Sequence, residues 1–123
     1  MAGFRILLVA IFATIVVYTS TTIANHGLNL FPVFFGDIAK MAWPGQFNLD
    51  FSGFLTLSAF WLAWRHHFSP LGIALGVLGF FGGAPVLTVY LFVASFTANG
   101  EVDVLLLGPT RAKGHVTSEA DAV

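Results

Sequence analysis

The stretch "PLGIALGVLGFFGGAPVLTVYLFVASF", Pro70 to Phe96, decides how the chain folds. Its 27 residues carry no charge, and a helix rising about 1.5 Å per residue over that length exceeds the roughly 30 Å of a hydrocarbon core. Ser69 as N-cap and Pro70 at the first helical position open it, and Asn99 and Gly100 form a stop signal beyond it. The sequence predicts one membrane span over 70–96, with its excess length taken up by tilt or by a kink at "GGAP", Gly82 to Pro85.

Small residues recur along this stretch at Gly72, Gly76, Gly79 and Gly83, stepping by four, three and four. The same steps recur at Ser52, Thr56, Ala59 and Ala63 in the apolar run before it. In lipid, apolar side chains gain little by meeting one another, so helices associate where small residues let backbones approach. The two stripes are the expected helix-packing seams, within one chain or across an oligomer. The short "HFSP" connection favours pairing within the chain.

Working outward, residues 47–64 form a second apolar run whose end is marked by Trp61 and Trp64 at the interface, followed by Arg65, His66 and His67. Residues 6–23 supply a further span. Arg5 before it, with Thr22 and Ala24 near its end, also resembles a secretory signal peptide, but removal would leave two spans with little to pack against, so the helix is retained. Asn25 to Gln46 is too punctuated by Gly and Pro to cross, yet Phe31, Phe34, Phe35, Ile38, Met41 and Trp43 keep helical spacing. The expected fold is therefore all-α. It is an integral membrane protein with three transmembrane helices, at 6–23, 47–64 and 70–96, and one interfacial amphipathic helix within 30–43. Residues 1–108 form a single membrane domain and 109–123 a solvated C-terminal tail.

Composition supports this class: 57% of residues are hydrophobic and 9% charged, against about 25% charged in soluble domains. A net charge of −1 with five Lys and Arg residues excludes a nucleic-acid partner. The lack of cysteine excludes disulfides, thiolate metal sites and a thiol nucleophile. The expected partners are the lipid bilayer and either copies of the chain or a larger membrane complex. With three spans, Arg5 and the Arg65 turn share one side and face Lys40, Arg111 and Lys113 on the other. Arg111 and Lys113 lie well past the end of the third span, so among basic residues close to helix ends Arg5 and Arg65 outnumber Lys40, and the positive-inside rule puts the N-terminus in the cytoplasm and the C-terminus outside, in the inner membrane if the source is bacterial.

Asp50 is the one carboxylate inside an apolar run, which by itself raises a site hypothesis. Two residues after Asn48, a candidate N-cap, it would also fall in a first helical turn, where the dipole favours a carboxylate by about 0.3–1 kcal/mol. Capped in that way it would be hydrogen-bonded near the interface. Tyr18, Asn25, His26 and Tyr90 would share its side under the three-span topology and could join it in a polar cup for a headgroup, a quinone carbonyl or a carotenoid end. No cofactor or metal is expected. His66 and His67 are adjacent on a helix and point about 100° apart, while His26 lies at the other interface and His115 in the tail, so no ligand set converges. Lys40 and Lys113 lie outside the spans, where neither could carry a retinal Schiff base.

The order of features, "HGLNLFPVFFGDIAKMAWPGQFNLDFSGFLTLSAFWLAWRHHF" followed by a glycine-rich span ending "VYLF", resembles an uncharacterised family of small bacterial membrane proteins classed as a domain of unknown function. The resemblance covers about Arg5 to Phe92. It rests on "HG" before an aromatic segment, an Asp opening the second span and a basic turn before the third, and it implies a three-span fold and no activity.

The functional expectation is a non-enzymatic accessory or scaffold subunit of a membrane complex or homo-oligomer. Its rivals are an enzyme or binding protein for an isoprenoid, carotenoid or quinone at the Asp50 cup, and a small transporter or channel subunit. Catalytic residues are not identifiable from the sequence.

Overall fold

The structure, a computed structural model, describes residues 1–113. They form helices α1 (Ala2–His26), α2 (Leu30–Ala39), α3 (Trp43–Arg65), α4 (Pro70–Gly82), α5 (Ala84–Ala98) and α6 (Val102–Leu107), followed by a helical segment over 109–113. There is no strand among the described residues. Proline starts three of the helices, at Pro44, Pro70 and Pro85. In a first turn its missing N–H removes a group that would have no intrahelical partner. At α4, Ser69 caps the end by accepting the Gly72 N–H at 3.1 Å. Asn99 in the left-handed conformation closes α5.

The span expected over 70–96 is two helices, not one kinked helix. Gly83, at φ 66° and ψ −146°, ends α4 and precedes α5. The chain turns back there. Tyr90 reaches Arg65 and His66 at the end of α3, and Ser95 reaches Arg5 at the start of α1. The helices of this hairpin have 13 and 15 residues, about 20 Å and 22 Å of rise, too short for a hydrocarbon core of about 30 Å. A kink would have sent Tyr90 and Ser95 away from the Arg65 turn. The reversal brings them back to it, so the starts of α1 and α4 and the ends of α3 and α5 gather at one end of the molecule.

Helix α4 packs antiparallel on α3. A Cβ on Gly76 would stand 2.9 Å from the Ala59 carbonyl oxygen, and one on Gly72 would stand 3.0 Å from that of Ala63. Gly79 is buried against the Leu62 side chain, which is itself 1% exposed. Gly83 lies at the reversal, over the Phe51 ring. Ser52 is partly buried and Thr56 exposed, and each hydroxyl donates to the carbonyl four residues earlier in α3. Helix α5 packs on the first half of α1, and α6 closes the base, where Ala94, Ala98 and Leu105 form a buried cluster with Met1, Phe4, Tyr90 and Leu91 around it. Helix α2 lies across the start of α3, at a contact where a Cβ on Gly45 would overlap the Asp37 backbone.

Two further expectations need correction. Helix α3 starts at Trp43 rather than near residue 47, because Pro44, which reads as a breaker in sequence, occupies its first turn. Residues 109–113 are helical, and Ala112 is 2% exposed, so this part of the expected solvated tail is packed. The rest of that tail lies outside the described residues. Among the described helices only α1 is both long and apolar enough to cross a membrane.

The seam yields a direct test. Gly76→Leu must push against the α3 backbone at Ala59 and should lower stability by about 1–3 kcal/mol. Gly53→Ala, whose new methyl group meets nothing within 4 Å, should not. Thermal unfolding of both variants in detergent distinguishes them.

Candidate functional site

The structure divides the expected polar cup. Tyr18, Asn25 and His26 line one groove on the second half of α1, together with Thr14, Thr21 and Thr22. Asp50 is exposed, lies two turns inside α3 rather than in its first turn, and its carboxylate has no hydrogen bond among the described residues. The capping account of Asp50 therefore fails. Asn48, its expected N-cap, is an interior helical residue whose side-chain amide donates to the Phe34 carbonyl at 3.2 Å. Tyr90 stands apart from the other cup residues, at the Arg65 end.

It is at that end that polar side chains converge. Arg65 is 8% exposed, and its guanidinium is satisfied by oxygens of two other helices. Nε donates to the Leu105 carbonyl at 2.8 Å, Nη2 to the Val104 carbonyl at 3.2 Å, and Nη1 to the Tyr90 hydroxyl at 2.7 Å. The two carbonyls belong to the C-terminal end of α6, the negative pole of its dipole; Val104 also accepts the Gly108 N–H, whereas the residue four beyond Leu105 is Pro109, which has no N–H to give. Trp61 adds a third donor, its indole N–H bonding the Leu106 carbonyl at 3.1 Å. The relation is reciprocal: Arg111, just beyond α6, donates to the Trp64 carbonyl in the last turn of α3 and lies 4.0 Å over the Trp64 ring. Each helix end is capped by a cation from the other's neighbourhood.

Two more contacts complete this end. Arg5 donates to the Ser95 hydroxyl at 2.8 Å and the Ser95 carbonyl at 3.2 Å while stacking 3.8 Å over Phe96, which ties the start of α1 to the end of α5. His66 Nε2 lies 2.5 Å from the Tyr90 hydroxyl, and the Trp61 and His66 rings both meet Tyr90 edge-on. Burial, and then the charges of Arg65 and His67, push the His66 imidazole below its ordinary value.

Chemically this arrangement is a clamp. Its guanidinium groups are engaged by carbonyl and hydroxyl oxygens, and its one short bond between titratable groups joins His66 and Tyr90. No group of three His, Cys, Asp or Glu residues able to hold a metal ion occurs among the described residues. No family model, curated protein or solved structure matches the chain.

From the sequence, Arg65 and His66 are legible as a basic collar, but Tyr90, Ser95 and Arg111 fall on the other side of the membrane once 70–96 is taken as one crossing. The available signal was glycine just past one helix and proline just inside the next, at Gly83 and Pro85.

Arg65→Lys should loosen α6, because an ammonium lacks the planar fork that reaches two carbonyls and a hydroxyl at once. Loss of about 1–3 kcal/mol is expected, read as a lower melting temperature and faster tryptic cleavage after Arg111. Unchanged cleavage would mean that Arg65 does not hold α6.

Proposed function

We propose that this chain is a small integral membrane protein acting as a non-enzymatic subunit of a larger membrane assembly, built from its own copies or around another membrane protein. The observation that carries the proposal is the open second half of α1. Helix α1 has 25 residues but a single buried one, Leu8, and its packing partner α5 is a half-length helix. Beyond α5, Val17 and Tyr18 remain 66% and 75% exposed. Lipid suits the apolar side chains here, and the Thr14, Thr21 and Thr22 hydroxyls already bond carbonyls of their own helix, but the polar ends of Tyr18 and Asn25 suit a partner helix better, because lipid tails offer no hydrogen bonds. The binding-protein reading has less support, since Asp50 and Tyr90 do not join Tyr18, Asn25 and His26.

In this reading α1 crosses the bilayer, α3, long enough at 23 residues but less apolar, crosses with α4 packed along it, and α4 and α5 form a re-entrant hairpin entered from the basic end. Short apolar helices are tolerated at membrane depth when their backbone groups are satisfied within the protein. Arg5, Arg65 and Arg111 sit at that end, Lys113 follows directly, and Lys40 alone of the five basic residues lies at the other. The positive-inside rule then favours a cytoplasmic basic end, with the N-terminus and residue 113 on the same side. This replaces the external C-terminus expected from three crossings.

The native chain has no cysteine, so single-cysteine labelling is unambiguous. In intact cells an impermeant maleimide should reach Leu28→Cys, and should reach Thr110→Cys only after permeabilisation. The opposite pattern overturns the orientation. Native mass spectrometry from nanodiscs should show an oligomer or a co-purifying membrane protein. A lone monomer overturns the subunit reading.

A further inference from the structure

The geometry points to a pH-operated latch at the basic end: the Tyr90 bond to neutral His66 keeps Arg65 aimed at the α6 carbonyls, and protonation of His66 releases α6 from α3. The inference stands on contacts within one chain and does not depend on what the chain assembles with.

The protons can be assigned by counting hydrogens. Tyr90 has one hydroxyl hydrogen, and its oxygen already accepts from Arg65 Nη1 at 2.7 Å. His66 Nε2 is 2.5 Å from the same oxygen. If Nε2 carried a hydrogen, the oxygen would accept twice and the hydroxyl hydrogen would lack an acceptor in a partly buried place. With Nε2 bare, every hydrogen is used: Arg65 donates to Tyr90, and Tyr90 donates to His66. The guanidinium polarises the hydroxyl and strengthens its donation, so the two bonds reinforce each other. His66 is then neutral, with its hydrogen on Nδ1.

A proton on Nε2 reverses this. The hydroxyl must turn its own hydrogen away, and its oxygen is left between imidazolium and guanidinium. Little nearby would compensate. On its own element His66 has Arg65 and His67 as charged or titratable neighbours, and both oppose a positive charge. From α5 it faces Tyr90. From α4 it meets Gly72, which carries no charge. The α6 carboxylate, Asp103, accepts its own chain's Val104 N–H at 2.9 Å. Arg111 is engaged at Trp64 and Arg5 at Ser95.

The direction of the pH effect follows. Burial and cationic neighbours hold the docked imidazole below its ordinary value, whereas release, by exposing the ring, moves it back toward the ordinary imidazole value of about 6.5. Above that pH both forms are neutral and docking is undisturbed. As the pH falls below it, the released form gains a proton that the docked form resists. The ratio of released to docked α6 rises by up to about tenfold per pH unit until the docked imidazole itself titrates.

A nitroxide on Leu106→Cys, a half-exposed site on α6, reports the latch through its mobility in nanodiscs. The signal should be immobile at pH 7.5 and gain a mobile component as pH falls toward 4.5, with its rise beginning near pH 6.5. In His66→Gln the amide oxygen accepts the Tyr90 hydrogen without titrating, so the label should stay immobile throughout. In Tyr90→Phe it should be mobile at every pH while circular dichroism remains helical, which separates release of α6 from unfolding. A flat profile in the His66-containing protein overturns the proposal. So does an unchanged profile in His66→Gln, which would assign the transition to another group such as His67 or Asp103.

Discussion

Gly83 holds a backbone conformation that residues with a Cβ rarely adopt, and the arrangement of the other helices depends on it. A reversal inside an apolar medium must leave few backbone groups without partners. This one meets the requirement with local means. The Gly83 N–H bonds the Gly79 carbonyl at 2.9 Å, the Gly83 carbonyl accepts from Leu87 at 3.2 Å, and Pro85 has no N–H to satisfy. Thr88 returns its hydroxyl to the Pro85 carbonyl. The turn then rests on Phe51 and Leu55 of α3, so its depth is set by the same α3–α4 seam that Gly72 and Gly76 make close.

Once α5 runs back, its polar residues meet the end of α3 and the start of α1. The basic end shows how a cation can be accommodated at low dielectric without a carboxylate. Arg65 is surrounded by carbonyl oxygens at the negative pole of a short helix, where several dipoles share the charge. The helix gains as well: six residues have little stability of their own, and α6 persists where Trp61 and Arg65 bond its last carbonyls. Arg111 does the same for α3. Without Arg65 the Leu105 carbonyl would lose its donor, while Trp64 and Val104 would keep the N–H groups of His67 and Gly108, so each cation adds a bond that ties the two helix ends together.

Order within the chain is accordingly uneven. The basic end combines buried small residues, three engaged arginines and stacked aromatic rings, whereas the second half of α1 presents its side chains outward. That contrast has one geometric origin. A hairpin of two half-length helices fills the space beside α3 near the base and supplies α1 with a neighbour over only part of its length.

The helical class, the apolar runs, the Ser69–Pro70 start and the Asn99–Gly100 stop were legible in the sequence, because hydrophobic content, capping residues and breakers act over a few neighbouring positions. The same local signals were ambiguous at "GGAP" and "WPGQ". Glycine and proline there could kink a helix, end it or begin the next, and each outcome is locally allowed. Arg65 could be read as a surface collar because nothing in its neighbourhood names Leu105 or Tyr90, 40 and 25 residues away. By itself the sequence determined which segments are helical and apolar. The tertiary structure alone decided the direction of α5, and with it the partners of Arg65, His66 and Arg5, because direction at a glycine turn is selected by which long-range surfaces fit.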